Sequence, residues 1–145
     1  MATIKLFEDL QIWQRARIFS GRIYALTMEG NFSKDYALKN QINDSSGSIM
    51  DNIAEGFERG GNKEFVLFLS YAKGSAGEAR SQLYRALDRN HISESTFNEL
   101  KDEAIELSKM TSGFMNYLQS SSYKGSKFKE PLESYKSEDL TDLSE

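Results

Sequence analysis

A single proline, Pro131, is the feature that most constrains the fold of this 145-residue chain. Proline lacks a backbone N–H and clashes with the preceding turn, so it ends or kinks a helix wherever it falls in the interior. Everything before Pro131 is therefore free to form long, uninterrupted helices. Whether the chain does so depends on the spacing of its apolar residues.

Apolar residues recur every three or four positions in four successive segments, which is the spacing of one face of an α-helix. The first segment covers residues 7–28, and the pattern stops after Gln119. Short loops between such helices favour antiparallel neighbours, so the predicted fold is all-α, an up-down antiparallel four-helix bundle. The four stripes are Ile12, Ala16, Phe19, Ile23 and Leu26; Leu38, Ile42, Ser45, Ile49, Ile53 and Phe57; Phe65, Leu69, Ala72, Ala76, Ala79, Leu83 and Ala86; and Phe97, Leu100, Ala104, Leu107, Thr111, Phe114 and Leu118.

The loops carry residues that suit helix ends. Ser33 is the predicted N-cap of helix two, because its hydroxyl can accept a hydrogen bond from a free backbone amide. The glycine pair at 60–61 is expected to close helix two, since glycine adopts the left-handed conformation at little cost. Asn62 is expected to cap helix three, and either Ser93 or Thr96 to cap helix four.

The glycines at 56 and 61 nearly reproduce a phosphate-binding loop. That loop requires Gly, four residues and Gly-Lys-Ser/Thr, directly after a buried strand. Here Asn62 stands at the lysine position, the hydroxyl is missing, and the preceding residues follow a helical pattern. The stretch therefore indicates a helix end and a turn, and not a nucleotide site.

The C-terminal residues differ in composition from the rest. After Gln119 the sequence is rich in serine and charge, and it contains too little apolar area to offset the entropy of ordering it. From Glu130 onward six acidic residues accompany one base, Lys136, whereas the preceding residues are nearly neutral. We expect residues 1–121 to form the bundle and residues 122–145 to be a disordered acidic tail.

Composition excludes several classes of function. The chain has no cysteine, which excludes disulfides and thiolate metal sites, and one histidine, which excludes the usual di-iron bundle site. The longest apolar run, residues 65–69, is far too short to span a membrane, and the N-terminal residues lack the pattern of a signal peptide. We therefore predict no cofactor, metal, membrane partner or small-molecule substrate, and a cytoplasmic location.

Several short stretches together are specific enough to suggest a family. The sequence resembles the bacterial four-helix bundle proteins named for 23S rRNA intervening sequences, which are also called S23 ribosomal proteins. The resemblance extends from residue 7 to about residue 119. It rests on residues 7–13 (FEDLQIW), Gln41-Ile42, residues 48–56 (SIMDNIAEG), residues 63–65 (KEF), Phe68-Leu69, residues 72–75 (AKGS), Glu78 and Leu83.

The resemblance carries expectations about assembly and partners. It implies a small bundle that assembles as a ring-like homopentamer. It also connects the chain to a similar protein, the accessory protein of diversity-generating retroelements, which binds a reverse transcriptase and nucleic acid. One departure concerns nucleic acid: Asn43-Asp44 occupy the position of a basic pair in relatives, and Met50 that of a proline. Two lost cations would weaken phosphate contacts.

The residues that look most like the family are polar or small: Asn52, Glu55 and Gly56 in helix two, and Glu78 in helix three. A functional interpretation makes them a polar site at the end of helix two. The structural interpretation, which we favour, is that the polar groups hydrogen-bond across the bundle, because buried polar groups need partners. Without a histidine, cysteine or clustered carboxylate nearby, they form no obvious catalytic set.

Basic residues from the end of helix two through helix three are the candidates for contact with nucleic acid. At 100° per residue they do not share one stripe, so one copy offers only a solvated surface, whereas a ring would repeat them around its axis. Tyr71 and Tyr84 could stack on bases. The candidate nucleic-acid-binding residues are Arg59, Lys63, Arg80, Arg85 and Arg89.

An enzymatic alternative comes from Arg85 and His91. Their spacing resembles the Arg-x(4–6)-His element of HEPN ribonucleases, which are also helical bundles. In such a site the arginine would stabilise a phosphoryl transition state and the histidine would transfer protons. A motif this short matches often by accident.

The leading hypothesis is a non-enzymatic, homo-oligomeric scaffold or accessory protein. Its expected partners are further copies of itself and either RNA or DNA, or a nucleic-acid enzyme such as a reverse transcriptase. A HEPN-like ribonuclease and a purely protein-binding structural subunit remain the alternatives.

Overall fold

The structure, a computed structural model, describes residues 3–120 and 129–137. Its four long helices are α1 (Gln11–Thr27), α2 (Tyr36–Glu58), α3 (Asn62–Asp88) and α4 (Glu94–Ser120), and a short helix, α5 (Leu132–Ser137), follows. Short 3-10 turns precede α1 (Phe7–Asp9) and α2 (Gly30–Lys34). The prediction of an all-α, up-down four-helix bundle is confirmed.

The core is formed by the predicted stripes. Nearly all of their members are fully buried, including the aromatic side chains Phe19, Phe65 and Phe114, and Phe32 from the α1–α2 loop joins them. Helices adjacent in sequence are adjacent in space; the pairs α2–α3 and α3–α4 pack closely along their length, whereas α1 and α4 make fewer contacts. The bundle is therefore tighter on its α3 side than between α1 and α4.

Two hydrogen bonds join neighbouring helices, one buried in the core and one partly buried at its edge. Ser45 of α2 donates to the Gln82 side-chain oxygen of α3 over 2.5 Å. Asn43 of α2 donates to the hydroxyl of Thr27 at the end of α1 over 2.9 Å. A buried polar group without a partner costs roughly 1–3 kcal/mol, so these pairs fix which residues of adjacent helices lie opposite one another.

Of the four predicted helix-end roles, the structure agrees with two and corrects two. Gly60 has a φ of 86°, as expected of a glycine that closes a helix, and Ser93 caps α4 by accepting from the Thr96 amide over 3.1 Å. Ser33, however, bonds within its own turn, and the N-cap of α2 is Asp35, which accepts from the Leu38 amide. The prediction for Ser33 was wrong because the intervening 3-10 turn delays the start of α2.

Asn62 does not cap α3. It is the first residue of that helix, and its side-chain amide donates to the Leu118 carbonyl near the end of α4 over 3.2 Å. The N-cap is Gly61, whose backbone is extended. A side chain predicted to act locally thus joins two helices, which only their packing could reveal.

The predicted disordered tail needs a correction over residues 129–137. This segment lies against α1 and α4, and it includes α5 and a buried glutamate, Glu130. Composition did not predict this, because the segment is held by a few specific contacts and not by a large buried apolar area. The remaining residues of the predicted tail, 122–128 and 138–145, lie outside the described residues.

Candidate functional site

Gly56 marks the closest approach of α2 to α3. A Cβ atom at this position would lie 2.7 Å from Phe68 Cβ and 3.0 Å from Phe65 Cδ1. Real Cβ atoms almost never come so close, so only glycine fits without a shift of one helix. The residue that made the sequence look like a phosphate loop therefore serves the crossing of two helices.

The polar residues of the same stretch make local contacts. Asn52 donates to the backbone oxygen and the hydroxyl of Ser48, over 2.8 and 2.9 Å. Glu55 accepts from Arg59, one turn further along α2, over 2.8 Å. These contacts run along α2 rather than across the bundle. An arginine partner for Glu55 fits the structural interpretation.

Glu78 lies on the exposed side of α3, away from Asn52 and Glu55. It borders a shallow groove between α2 and α3 that Gln41, Asp44 and Arg85 also line. Arg85 crosses this groove and donates to the Gln41 side chain over 2.8 Å. The structure thus does not gather the four polar or small family residues into one site.

Three of the five candidate basic residues make contacts within the chain. Arg59 pairs with Glu55 and lies 5.0 Å from the centre of the Phe68 ring, Arg85 donates to Gln41, and Arg89 pairs with Asp35 over 2.9 Å. Lys63 and Arg80, the other two, are exposed.

These candidates are also far apart along the bundle. Lys63 lies in the first turn of α3 and Arg89 just after its last residue, which at about 1.5 Å per residue separates them by about 40 Å. One copy of the chain therefore has no single basic surface made from the five candidates.

His91 holds the α3–α4 turn against the start of α2. Its Nε2 lies 2.8 Å from Asp35 Oδ2, and its ring stacks on Phe32 with the ring centres 4.9 Å apart. The imidazole is only 9% exposed, and its Nδ1 is buried without a hydrogen-bond partner among the described residues. Arg85 bonds to Gln41 instead. The contacts of His91 favour a structural role over the ribonuclease role.

Asp35 is the centre of this contact. Hydrogen bonds from His91 and then from Arg89 lower the pKa of Asp35 from 3.8 to about 2. A carboxylate with a lowered folded-state pKa stabilises the protein above its unfolded pKa, and that contribution is lost as the pH falls through the folded value. For Asp35 the loss falls between about pH 4 and pH 2.

The outer side of α1 carries an apolar stripe that the rest of the described chain leaves uncovered. Its members are exposed and alternate at spacings of four and three, which places them on one face opposite the core. Ile18 is 63% exposed and Met28 is 50% exposed, and a Cβ at Gly21 would meet nothing within 4 Å. This outer α1 face consists of Gln14, Ile18, Gly21, Ala25 and Met28.

The outer side of α3 carries a second stripe with alternating spacings of three and four, made of serines and glycines between two larger side chains. Leu67 and Tyr84, at its two ends, are each 46% exposed. Between them a Cβ at Gly74 or Gly77 would again meet nothing within 4 Å. This outer α3 face consists of Leu67, Ser70, Gly74, Gly77, Ser81 and Tyr84.

Both stripes were visible in the sequence but were missed. The inner stripes already explained the helical pattern, and the glycines of α3 indicated either close packing or a partner surface without showing which. Ala72, Ala76 and Ala79 do face that neighbour, whereas Gly74 and Gly77 face outward. A glycine inside a helix costs about 1 kcal/mol of helix stability relative to alanine. The two outward-facing glycines of α3 were therefore the signal in the sequence that could have indicated this face.

The fold and these surfaces define a class of protein: a small antiparallel four-helix bundle with uncovered stripes on two of its helices. No helix among the described residues has the length and apolar character needed to cross a membrane. The family follows from comparison with known sequences. Residues 8–113 match the model of the 23S rRNA-intervening sequence protein family, and the chain belongs to that family.

A solved structure supports the same fold. The chain is similar to a protein of unknown function from the S23 ribosomal protein family of Bacteroides thetaiotaomicron VPI-5482. The two share 21% identity with a TM-score of 0.66, over 72% of this chain and 97% of that one. At this identity the likeness establishes the fold alone. No curated protein matches the sequence.

Proposed function

We propose that the protein is a non-enzymatic scaffold or accessory protein that works as a homo-oligomer. The observation that carries the proposal is the pair of outer faces on α1 and α3. Exposed Ile18, Leu67 and Tyr84 lie there beside glycines that lower helix stability and at which an added Cβ would meet no other described residue within 4 Å. Burial against another copy would offset both costs, since small residues allow helices to approach closely.

The positions of the two faces favour a ring. α1 and α3 occupy opposite corners of the bundle, because each packs mainly on α2 and α4. The faces also differ in sequence, so the outer α1 face of one copy would pack on the outer α3 face of the next. Such head-to-tail contacts close into rings when the rotation permits, which agrees with the homopentamer that the family resemblance implies.

Light scattering on paired variants tests this assembly. The wild type at micromolar concentration should have a mass several times the 16.5 kDa of one chain. Ile18→Glu and Gly74→Arg, each of which disrupts one face, should give monomers with unchanged helix content. Asn98→Glu, on the exposed side of α4, is the matched control and should leave the mass unchanged.

Mixing the two variants tests the head-to-tail geometry itself. The Ile18→Glu variant keeps an intact α3 face, and Gly74→Arg keeps an intact α1 face, so together they should form a dimer of twice 16.5 kDa. If each face instead paired with itself, each variant alone would already be a dimer through its intact face, and mixing would leave the mass unchanged. A monomeric wild type would refute the assembly.

We propose nucleic acid, or an enzyme that acts on it such as a reverse transcriptase, as the further partner. The name of the family refers to 23S rRNA, and Lys63 and Arg80 are exposed cations that a ring would repeat. Fluorescence anisotropy with RNA and DNA over a salt series tests this, because phosphate contacts weaken as salt rises. Binding should fall in a Lys63→Ala/Arg80→Ala variant, and salt-independent or absent binding would contradict it.

A further inference from the structure

Residues 129–137 are attached to the bundle mainly through Glu130. Its two carboxylate oxygens accept from the backbone amides of Gln11 and Ile12 over 2.7 and 2.9 Å, and one of them also accepts from the Tyr135 hydroxyl over 2.9 Å. Glu130 is only 4% exposed. A buried carboxylate is costly unless several donors satisfy it, and here three donors do so.

This carboxylate completes a helix end that has no cap of its own. The residue at the N-cap of α1 is Leu10, whose apolar side chain cannot accept a hydrogen bond. The first amides of a helix lack partners within the helix and carry a partial positive charge that favours an anion. The start of α1 is therefore a carboxylate-binding position, and Glu130 fills it from a distant part of the chain.

Tyr135 supplies the apolar half of the attachment. The side chain is 7% exposed, and its ring centre lies 6.3 Å from that of Phe114 in α4. Burial, together with the Glu130 carboxylate, raises the pKa of the Tyr135 phenol well above its ordinary value, so the phenol stays protonated and donates. Leu132 packs against the same core. The segment thus occupies the side of the bundle where α1 and α4 make few contacts.

The bundle does not depend on this segment for its main core. The segment lies beyond residues 8–113, the part of the chain that matches the family, and the buried stripes of all four helices lie before it. Eight residues, 121–128 (SSYKGSKF), separate it from α4. A cavity of about 400 Å³ remains beside it, lined by Gln11, Arg15, Glu106 and Met110 together with residues of the segment itself.

We infer that residues 129–137 are a detachable cap over a peptide-binding groove between α1 and α4. The partner that fits this groove is a segment of another protein with a carboxylate side chain followed, five residues later, by a tyrosine. The carboxylate binds the amides of Gln11 and Ile12, and the aromatic ring packs on Phe114. The chain's own segment occupies the groove until such a partner displaces it.

The test uses the full chain, a released variant and a defined peptide. Tyr135→Ala should detach the cap, and hydrogen exchange at the Gln11 and Ile12 amides should then rise about tenfold while the remaining α1 amides stay protected. Lys136→Ala is the matched control, because Lys136 is exposed and its ion pair with Glu133 is long, at 4.0 Å. It should leave exchange at both amides unchanged.

Binding is measured with a fluorescent peptide of residues 129–137 (KEPLESYKS). The released variant should bind it about ten times more tightly than the wild type, whose groove is occupied in most molecules. A peptide with glutamine in place of Glu130 should bind the released variant about tenfold more weakly, since a charge-assisted contact is lost. Equal affinity of wild type and variant for the peptide, or no binding by the variant, would overturn the inference.

Two further measurements make the result decisive. Glu130→Gln in the full chain is a milder second route to release if Tyr135→Ala impairs folding, and it should give the same order of peptide affinities. Energy transfer between differently labelled copies that carry Ile18→Glu distinguishes another source of the segment, because this variant lacks the proposed ring contact that would bring labels of neighbouring copies together. Transfer between a label near Tyr135 of one copy and a label on α4 of another would then show exchange of caps between copies, and it would overturn capture of a partner protein.

Discussion

The close crossing of α2 and α3 at Gly56 predicts both the direction and the size of the stability change that Gly56→Ala should cause. Gly56→Ala would place a methyl group 2.7 Å from Phe68 Cβ and 3.0 Å from Phe65 Cδ1. The Phe68 Cβ is fixed directly to the α3 backbone, so relief requires α3 itself to move. Helix propensity acts in the opposite direction, because alanine is favoured over glycine in a helix.

The two effects can be compared in magnitude. Overpacking a core contact of this kind costs about 2–3 kcal/mol, and the gain in propensity offsets about 1 kcal/mol of that. The expected net loss in the free energy of unfolding is about 1–2 kcal/mol. For a chain of this size that corresponds to a decrease in Tm of about 3–8 °C.

Gly47→Ala on the same helix is the matched control. A Cβ there would lie 3.8 Å from the Ser20 hydroxyl oxygen, an ordinary contact distance, so only the gain in propensity remains and stability should rise by up to about 1 kcal/mol. Urea unfolding followed by circular dichroism, at one protein concentration, measures both variants. If Gly56→Ala were as stable as the wild type, α2 and α3 would not be as close as the argument requires.

Three further predictions concern single side chains, each measured by urea unfolding. Asp35→Asn should lower the free energy of unfolding at pH 7 by about 1–2 kcal/mol, a figure that allows for a carboxylate that is 20% exposed. It should also flatten the dependence of stability on pH between pH 4 and pH 2. An unchanged dependence in acid would contradict the contact with His91. Ser93→Ala should cost about 1 kcal/mol through loss of the α4 cap, whereas Ser33→Ala should cost much less. Ser45→Ala should cost about 1–3 kcal/mol by leaving Gln82 without its donor, and a neutral result would show that Gln82 finds another partner.

Glu130 shows where sequence reasoning about order failed. The tail was judged by composition, which measures the total apolar area available to offset entropy. Its attachment depends instead on one carboxylate that meets three donors and on one buried ring, Tyr135. The donors at Gln11 and Ile12 lie 118 or more positions away in sequence, so no local pattern could have indicated them.

The sequence by itself determined the helices and their inward faces, because the 3.6-residue period decides which side chains share a face whatever the helix packs against. It also determined the turn at Gly60 and limited the cap of α4 to Ser93 or Thr96, since these depend on the conformation of a few adjacent residues. The tertiary structure alone decided that Asn62 reaches α4 and that Glu130 binds the first amides of α1. Each of these depends on distances between residues that only helix packing sets. The outer α1 and α3 faces were likewise recognised in the structure, because it shows which stripes the core buries and which it leaves exposed.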